Sequence, residues 1–477
     1  MRGRGSIFLS GFEEPDSDQK ETSAVRPLVN PTFRPSATSA HWPRAAAWVS
    51  AYLVLAAFPV LVLLLGDLPK GGGFWWDFAM ALGFGGLAIM GLQSALTARF
   101  RRATAPFGVD IIYYFHRLVA VAGFGLIAAH YFILPARHGA ALGPLNPLEA
   151  PWPMTAGRIA FLFFAVLIVS SLWRKQLRLE YDRWRWTHAA MAVAAVVLAI
   201  AHIQGLGHQT RASWKEAVWV GYSAAWLLVI AYVRIARPLA LLKSPYRVTE
   251  VRAERGRSWT LAVRPEGHAG IRFKPGQFAW LTLRASPFRA KEHPFSFSGS
   301  AEEAGALHFT IKELGDFTRM IRDVKAGEVA YVNGPHGAFT PDHFPGAPGF
   351  VFIAGGVGIA PIMSMLRTLA DRCDRRPLRL IFGNWRWDDV LFREEIDQLR
   401  ARLDLELVHV LQELPPEWKG PQGVLSEPVL REAIPPAALA CDFFVCGPKP
   451  MTDAVQRSLR GFGVPLHRIH CERFDMA

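Results

Sequence analysis

The chain has 477 residues, with 53 Lys and Arg against 40 Asp and Glu and a formal net charge of +13. That length leaves room for two or three domains. The four cysteines, Cys373, Cys441, Cys446 and Cys471, lack CxxC or other metal-ligand spacing, which argues against an iron–sulfur or zinc framework and fits a reducing cytosol.

Residues 1–44 are polar and rich in Pro, Ser and charge, and read as a disordered cytoplasmic extension rather than a cleaved signal peptide. From 45 to about 240 the composition turns to Ala, Leu, Val, Phe and Trp, in runs of the roughly 20 residues that cross a bilayer. The pattern predicts six spanning helices near 45–65, 77–98, 111–134, 156–174, 186–205 and 216–236. Arg99, Arg101 and Arg102 follow the second helix, and Arg174, Lys175, Arg178, Arg183 and Arg185 follow the fourth. Arginine-rich loops face the cytoplasm, so both chain termini are expected there too, and the basic excess needs no nucleic acid to explain it.

The third and fifth of these helices each carry two histidines, His116 and His130 in one, His188 and His202 in the other, both pairs separated by 14 residues. An ionisable side chain inside a spanning segment is costly and points to function. Helices two crossings apart run in the same direction, so His116 faces His188 and His130 faces His202. Fourteen residues span roughly 21 Å and return to nearly the same helical face. Two stacked bis-histidine sites follow, a ligand set that suits two b-type hemes, whereas zinc would need further ligands at the same depth. Gly123, midway between His116 and His130, is read as room for a macrocycle, and Phe124 either lies between the two sites or packs. Arg117, Arg185 and Arg211 are propionate partners or snorkelling interfacial cations.

Residues 245–345 alternate charged and apolar positions in short runs, YRVTEV, SWTLAV, QFAWLTL and LHFTIKEL, broken by Gly and Pro, which predicts a small antiparallel β-barrel. Residues 347–477 alternate strand and helix patterns, GFVFIAGG, VGIAPIMSMLRTLA, LRLIFGN, LELVHVL and DFFVCGP, the signature of a parallel nucleotide-binding sheet. The turn GGVGIAP sets Gly355, Gly356 and Gly358 before Pro361 at a strand-to-helix junction, where backbone N–H groups can hold a pyrophosphate. After the second strand, GNWRWDD places Arg386 where a cation meets the 2′-phosphate of NADPH, beside Asp388 and Asp389, which favour the ribose hydroxyl of NADH; the balance leans to NADPH.

HPFSFSGS (from His293), LGDFT (from Leu314), NGPHG (from Asn333) and CGPKPM (from Cys446) accompany that loop. With these motifs the chain resembles the ferredoxin-NADP reductase superfamily, and with the histidine pairs it is similar to the ferric reductase and NADPH oxidase family of transmembrane flavocytochromes. The resemblance implies FAD on His293, Pro294, Phe295 and Ser296, with Phe295 against the isoalloxazine and Ser296 near its N5. It implies the flavin pyrophosphate on the N–H groups of Gly315, Asp316, Phe317 and Thr318. It also implies nicotinamide nucleotide on the glycine loop with Gly447 and Pro448, Cys446 near the hydride path, and Phe474 covering the flavin. Flavin converts a two-electron donor to one-electron acceptors, so the expected route runs from cytosolic NAD(P)H through FAD to the inner histidine pair, the outer pair and an acceptor at the outer face. Ferric chelates, a quinone, a protein or O2 are the acceptors considered. Leu134 stands where animal NADPH oxidases have a further His, which counts against superoxide production. A membrane heme sensor is the reading from another class.

Overall fold

The computed structural model describes residues 42–65, 72–100, 109–139, 143–207, 210, 212–289 and 291–472. Nearly all of the expected N-terminal extension, and also Arg211 and Phe474, lie outside the described residues.

Six long helices come first: α1 (Trp42–Leu63), α2 (Phe74–Thr97), α3 (Val109–Arg137), α4 (Trp152–Leu172), α5 (Tyr181–Leu206) and α6 (Ser213–Ala231). Each is long and apolar enough to cross a membrane. α6 runs on through one wide π turn, Tyr232–Ala236, into α7 (Arg237–Leu242), so the apolar helical stretch reaches Leu242 instead of ending near 236. Half of the apolar window of α2 is buried against 6% for α1, so α2 lies at the centre of the bundle and α1 at its rim. Side chains such as Leu53, Phe78, Phe132, Leu162 and Leu228 face outward, the surface a bilayer would cover.

The backbone approach of α2 and α3 is close because both helices offer glycine. A Cβ on Gly86 would lie 2.9 Å from the Gly123 carbonyl, and one on Gly123 would lie 2.8 Å from the Ile89 side chain. Gly123 thus serves helix packing, a correction to its reading as space for a macrocycle. Phe124 stacks on Phe161, which also stacks on Tyr131.

The soluble half opens with a six-stranded antiparallel sheet in the order β4-β3-β6-β1-β2-β5. Its strands are β1 (Tyr246–Glu254), β2 (Ser258–Pro265), β3 (Phe278–Leu283), β4 (His293–Ser296), β5 (Leu307–Lys312) and β6 (Val329–His336). The two edges meet at one bridge, Phe297 to Phe309, beyond the end of β4. A short helix, α8 (Asp316–Met320), lies between β5 and β6. The alternating strands pack one face inward, around Leu261, Leu281, Phe297, Phe309 and Ile311.

The second sheet is fully parallel, ordered β11-β10-β7-β8-β9. It comprises β7 (Phe350–Gly355), β8 (Leu378–Asn384), β9 (Leu405–Leu411), β10 (Asp442–Cys446) and β11 (Ile469–Glu472). Helices α9 (Ile359–Asp371), α10 (Arg393–Arg400), α11 (Glu427–Ala433) and α12 (Lys449–Gly461) cover it. β7 is buried at every position, as a strand covered on both faces must be.

Candidate functional site

Each outer histidine is seated on a glycine of a neighbouring helix. His130 packs against Gly83 of α2, where a Cβ would fall 2.9 Å from its Nδ1, and His202 packs against Gly157 of α4, at 2.6 Å. One turn before each glycine a backbone carbonyl meets the ring: His130 Nδ1 is 2.8 Å from Ala79 O, and His202 Nδ1 is 2.8 Å from Pro153 O. A carbonyl can only accept, so each Nδ1 carries the proton and each Nε2 keeps its lone pair.

The inner pair repeats part of this arrangement. Ser171 of α4 donates its only hydroxyl proton to Leu167 O at 2.6 Å, so its oxygen is the acceptor toward His188 Nδ1 at 3.3 Å. His188 is therefore also an Nδ1–H tautomer. The His116 Nδ1 is buried without a hydrogen-bond partner. His116 lies within electrostatic reach of His188, and His130 of His202.

Of the three arginines read as propionate partners, Arg117 is exposed at the end of the bundle. Arg185 is engaged elsewhere. Its Nη2 lies 2.6 Å from Glu292 Oε1, which also accepts from Arg99 Nη1 at 2.7 Å. Burial raises the Glu292 carboxyl, but the Arg99 and Arg185 guanidiniums outweigh it and hold the group down at about 2.

In the soluble half the HPFS and LGDFT motifs come together. His293 and Phe295, two residues apart on one side of β4, both lie against the Phe317 ring, at 3.9 and 5.9 Å between centroids. Pro294 pairs with Trp280 across β3, and the Ser296 hydroxyl is buried with no protein partner, free to bond a ligand. Thr318 turns inward: its Oγ1 accepts the Leu314 and Gly315 N–H groups, each at 2.8 Å. The Gly315 N–H is thereby committed within the loop, while Asp316 is fully exposed and paired to Arg319.

The nucleotide loop and the CGPKPM turn interlock, and glycine makes this possible. A Cβ on Gly358 would sit 2.2 Å from the Cys446 carbonyl, one on Gly355 2.3 Å from Met451 Sδ, and one on Gly447 2.7 Å from Met451 Cε. Gly356 has φ +53°, which glycine adopts without strain. Pro361 sits in the first turn of α9, and Pro448 caps α12. Cys446 ends β10 beside Glu472 of β11. Burial pushes its thiol up, with Glu472 and Cys471 adding to the shift, so it stands as a neutral thiol. Arg386 is half-exposed and already paired: its Nε is 2.8 Å from Glu413 Oε2, which also accepts from Trp385 Nε1. A 2′-phosphate at Arg386 would have to compete with this carboxylate.

Sequence reasoning missed Gly83, Gly157, the carbonyls of Ala79 and Pro153, Ser171, and Glu292. A signal for some of them was present. Gly157 and Ser171 on α4 are 14 residues apart, the spacing of His202 and His188, which they meet.

Six helices long and apolar enough to cross a membrane, four buried or half-buried histidines among them, thus precede a curled antiparallel sheet and a parallel sheet. Residues 82–199 match the ferric reductase like transmembrane component, and residues 352–457 match the oxidoreductase NAD-binding domain. Among curated proteins it is 32% identical over 208 residues to the glycine betaine monooxygenase reductase subunit of Pseudomonas aeruginosa, covering 42% of this chain and 56% of that one. It is 32% identical over 168 residues to NADH-cytochrome b5 reductase 1 of Debaryomyces hansenii, covering 34% and 58%. The chain therefore spans little more than half the length of these relatives. Among solved structures it is similar to the ferredoxin reductase in carbazole 1,9a-dioxygenase, at 27% identity and a TM-score of 0.43, covering 48% of this chain and 69% of that one.

Proposed function

We propose that the chain is a transmembrane oxidoreductase that takes electrons from cytosolic NAD(P)H, passes them to FAD in the soluble half, and delivers them to an acceptor at the outer face. Its His116–His188 and His130–His202 pairs would hold two b-type hemes. The hemes, when bound, would supply one-electron carriers within the apolar bundle.

The observation that carries this reading is the hydrogen bonding of the histidines. A metal-binding imidazole needs its Nδ1 held and its Nε2 lone pair available, and the Nδ1 contacts of His130, His202 and His188 leave them so. The other residues supply positions. His293, Phe295 and Phe317 form the aromatic wall expected beside a flavin, and Ser296 offers a buried hydroxyl to it. The Gly355–Gly358 turn brings β7 and β10 close enough that a nicotinamide laid over it would meet Cys446, whose neutral thiol neither repels a hydride nor competes for it.

Ferric chelates or another small molecule are the acceptors this reading favours. Leu134 is buried at the position where an oxygen-site histidine would stand. Heme content decides the central assignment: pyridine hemochrome analysis of the purified chain should give two b-type hemes per polypeptide, and one or none would remove it.

A further inference from the structure

Glu292 lies one residue before the HPFS strand and at the junction with the membrane helices. Its Oε1 accepts from two cations at once, Arg99 at 2.7 Å and Arg185 at 2.6 Å, and the three side chains are only 8%, 18% and 17% exposed. Arg185 is three residues before His188 on α5. Arg99 also donates from Nε to the hydroxyl of Tyr113 at 3.1 Å, and Tyr113 is three residues before His116 on α3. One carboxylate therefore ties the start of β4 to the two helices that bear the inner histidine pair.

The surrounding contacts make this a built junction. The Arg99 guanidinium lies 3.6 Å over the Trp280 ring, with Arg185 at 5.8 Å, and Trp280 is the β3 residue that pairs with Pro294. Tyr113 packs on Phe278 and Trp280. Arg99 holds a left-handed backbone at φ +54°, a conformation arginine keeps only where its contacts demand it. Arg234 and Arg237, beyond α6, lie within electrostatic reach of the same carboxylate. Four cations thus surround one buried anion, and removing its charge leaves them facing each other.

We propose that Glu292 is a positioning residue that seats the flavin-binding strand on the inner-histidine helices and so sets the reach of electrons from the soluble half into the membrane half. The inference rests on the function proposed above, and its test separates the two. In the full-length chain, Glu292→Gln should increase hydrogen–deuterium exchange in β4 and in the first turns of α3 and α5, a readout that needs no heme. The ratio of flavin-to-heme transfer to NAD(P)H–ferricyanide turnover should fall, because electron transfer weakens as the donor moves away from the acceptor. Glu292→Asp should restore part of both. Unchanged exchange at these segments would overturn the proposal, as would an unchanged transfer ratio or equal defects in Gln and Asp variants. Absence of heme would count against the proposed function, while the exchange comparison would still decide the seating role.

Discussion

His202 is oriented by what its neighbours lack. Gly157 has no side chain, so the imidazole can lie against α4 with Nδ1 on the Pro153 carbonyl, and Gly83 does the same for His130 on α2. The outer partners of a metal-binding histidine set its tautomer, and losing one costs about 10- to 100-fold in metal affinity. Gly157→Ala would put a Cβ 2.6 Å from Nδ1, nearer than packed atoms allow, and drive the ring off the carbonyl. The expected result is a fall in hemochrome from two hemes per chain toward one, with the remaining heme still held by His116 and His188. Full retention of both hemes in this variant would show that the glycine seat does not orient the ring.

At the scale of elements, the histidine spacing and the strand–helix alternation were legible because both are periodic signals in one segment. What escaped depends on pairs of segments. Helix α4 starts at Trp152 and not near 156, because a proline in the first turn forfeits no helical hydrogen bond. That early start supplies Pro153 O to His202. Gly123 falls close to the face of His116, yet that face also meets α2, whose register the sequence does not reveal. The partner of Arg386 was hidden for the same reason: Glu413, just beyond the end of β9 and one strand over in the sheet, pairs with a cation that reads as unpaired in GNWRWDD. The pair is exposed to solvent, so its net worth is small. With the carboxylate in place, NADH should be used at least as well as NADPH. Glu413→Ala should raise kcat/KM for NADPH by roughly two- to fivefold, with little change for NADH. Steady-state kinetics with both nucleotides would check this, and a parallel change for both would show that the loop does not read the 2′ position.

Across the whole molecule, a small charged junction centred on Glu292 joins the curled antiparallel sheet, with the parallel sheet behind it, to the apolar bundle. The two histidine pairs continue from that junction, the inner pair one turn away and the outer pair 14 residues deeper. Under the proposed function, electrons would enter from the nucleotide side and leave at the opposite face. Anaerobic addition of NADH or NADPH to isolated membranes holding the full chain, followed by difference spectroscopy, tests that claim most directly. The Soret and α bands of low-spin b heme should appear in reduced form only with nucleotide and FAD present, and to about half extent when His202 is replaced by Leu. Membranes containing the chain and FAD in which nucleotide bleaches the flavin but never reduces a heme band would contradict it.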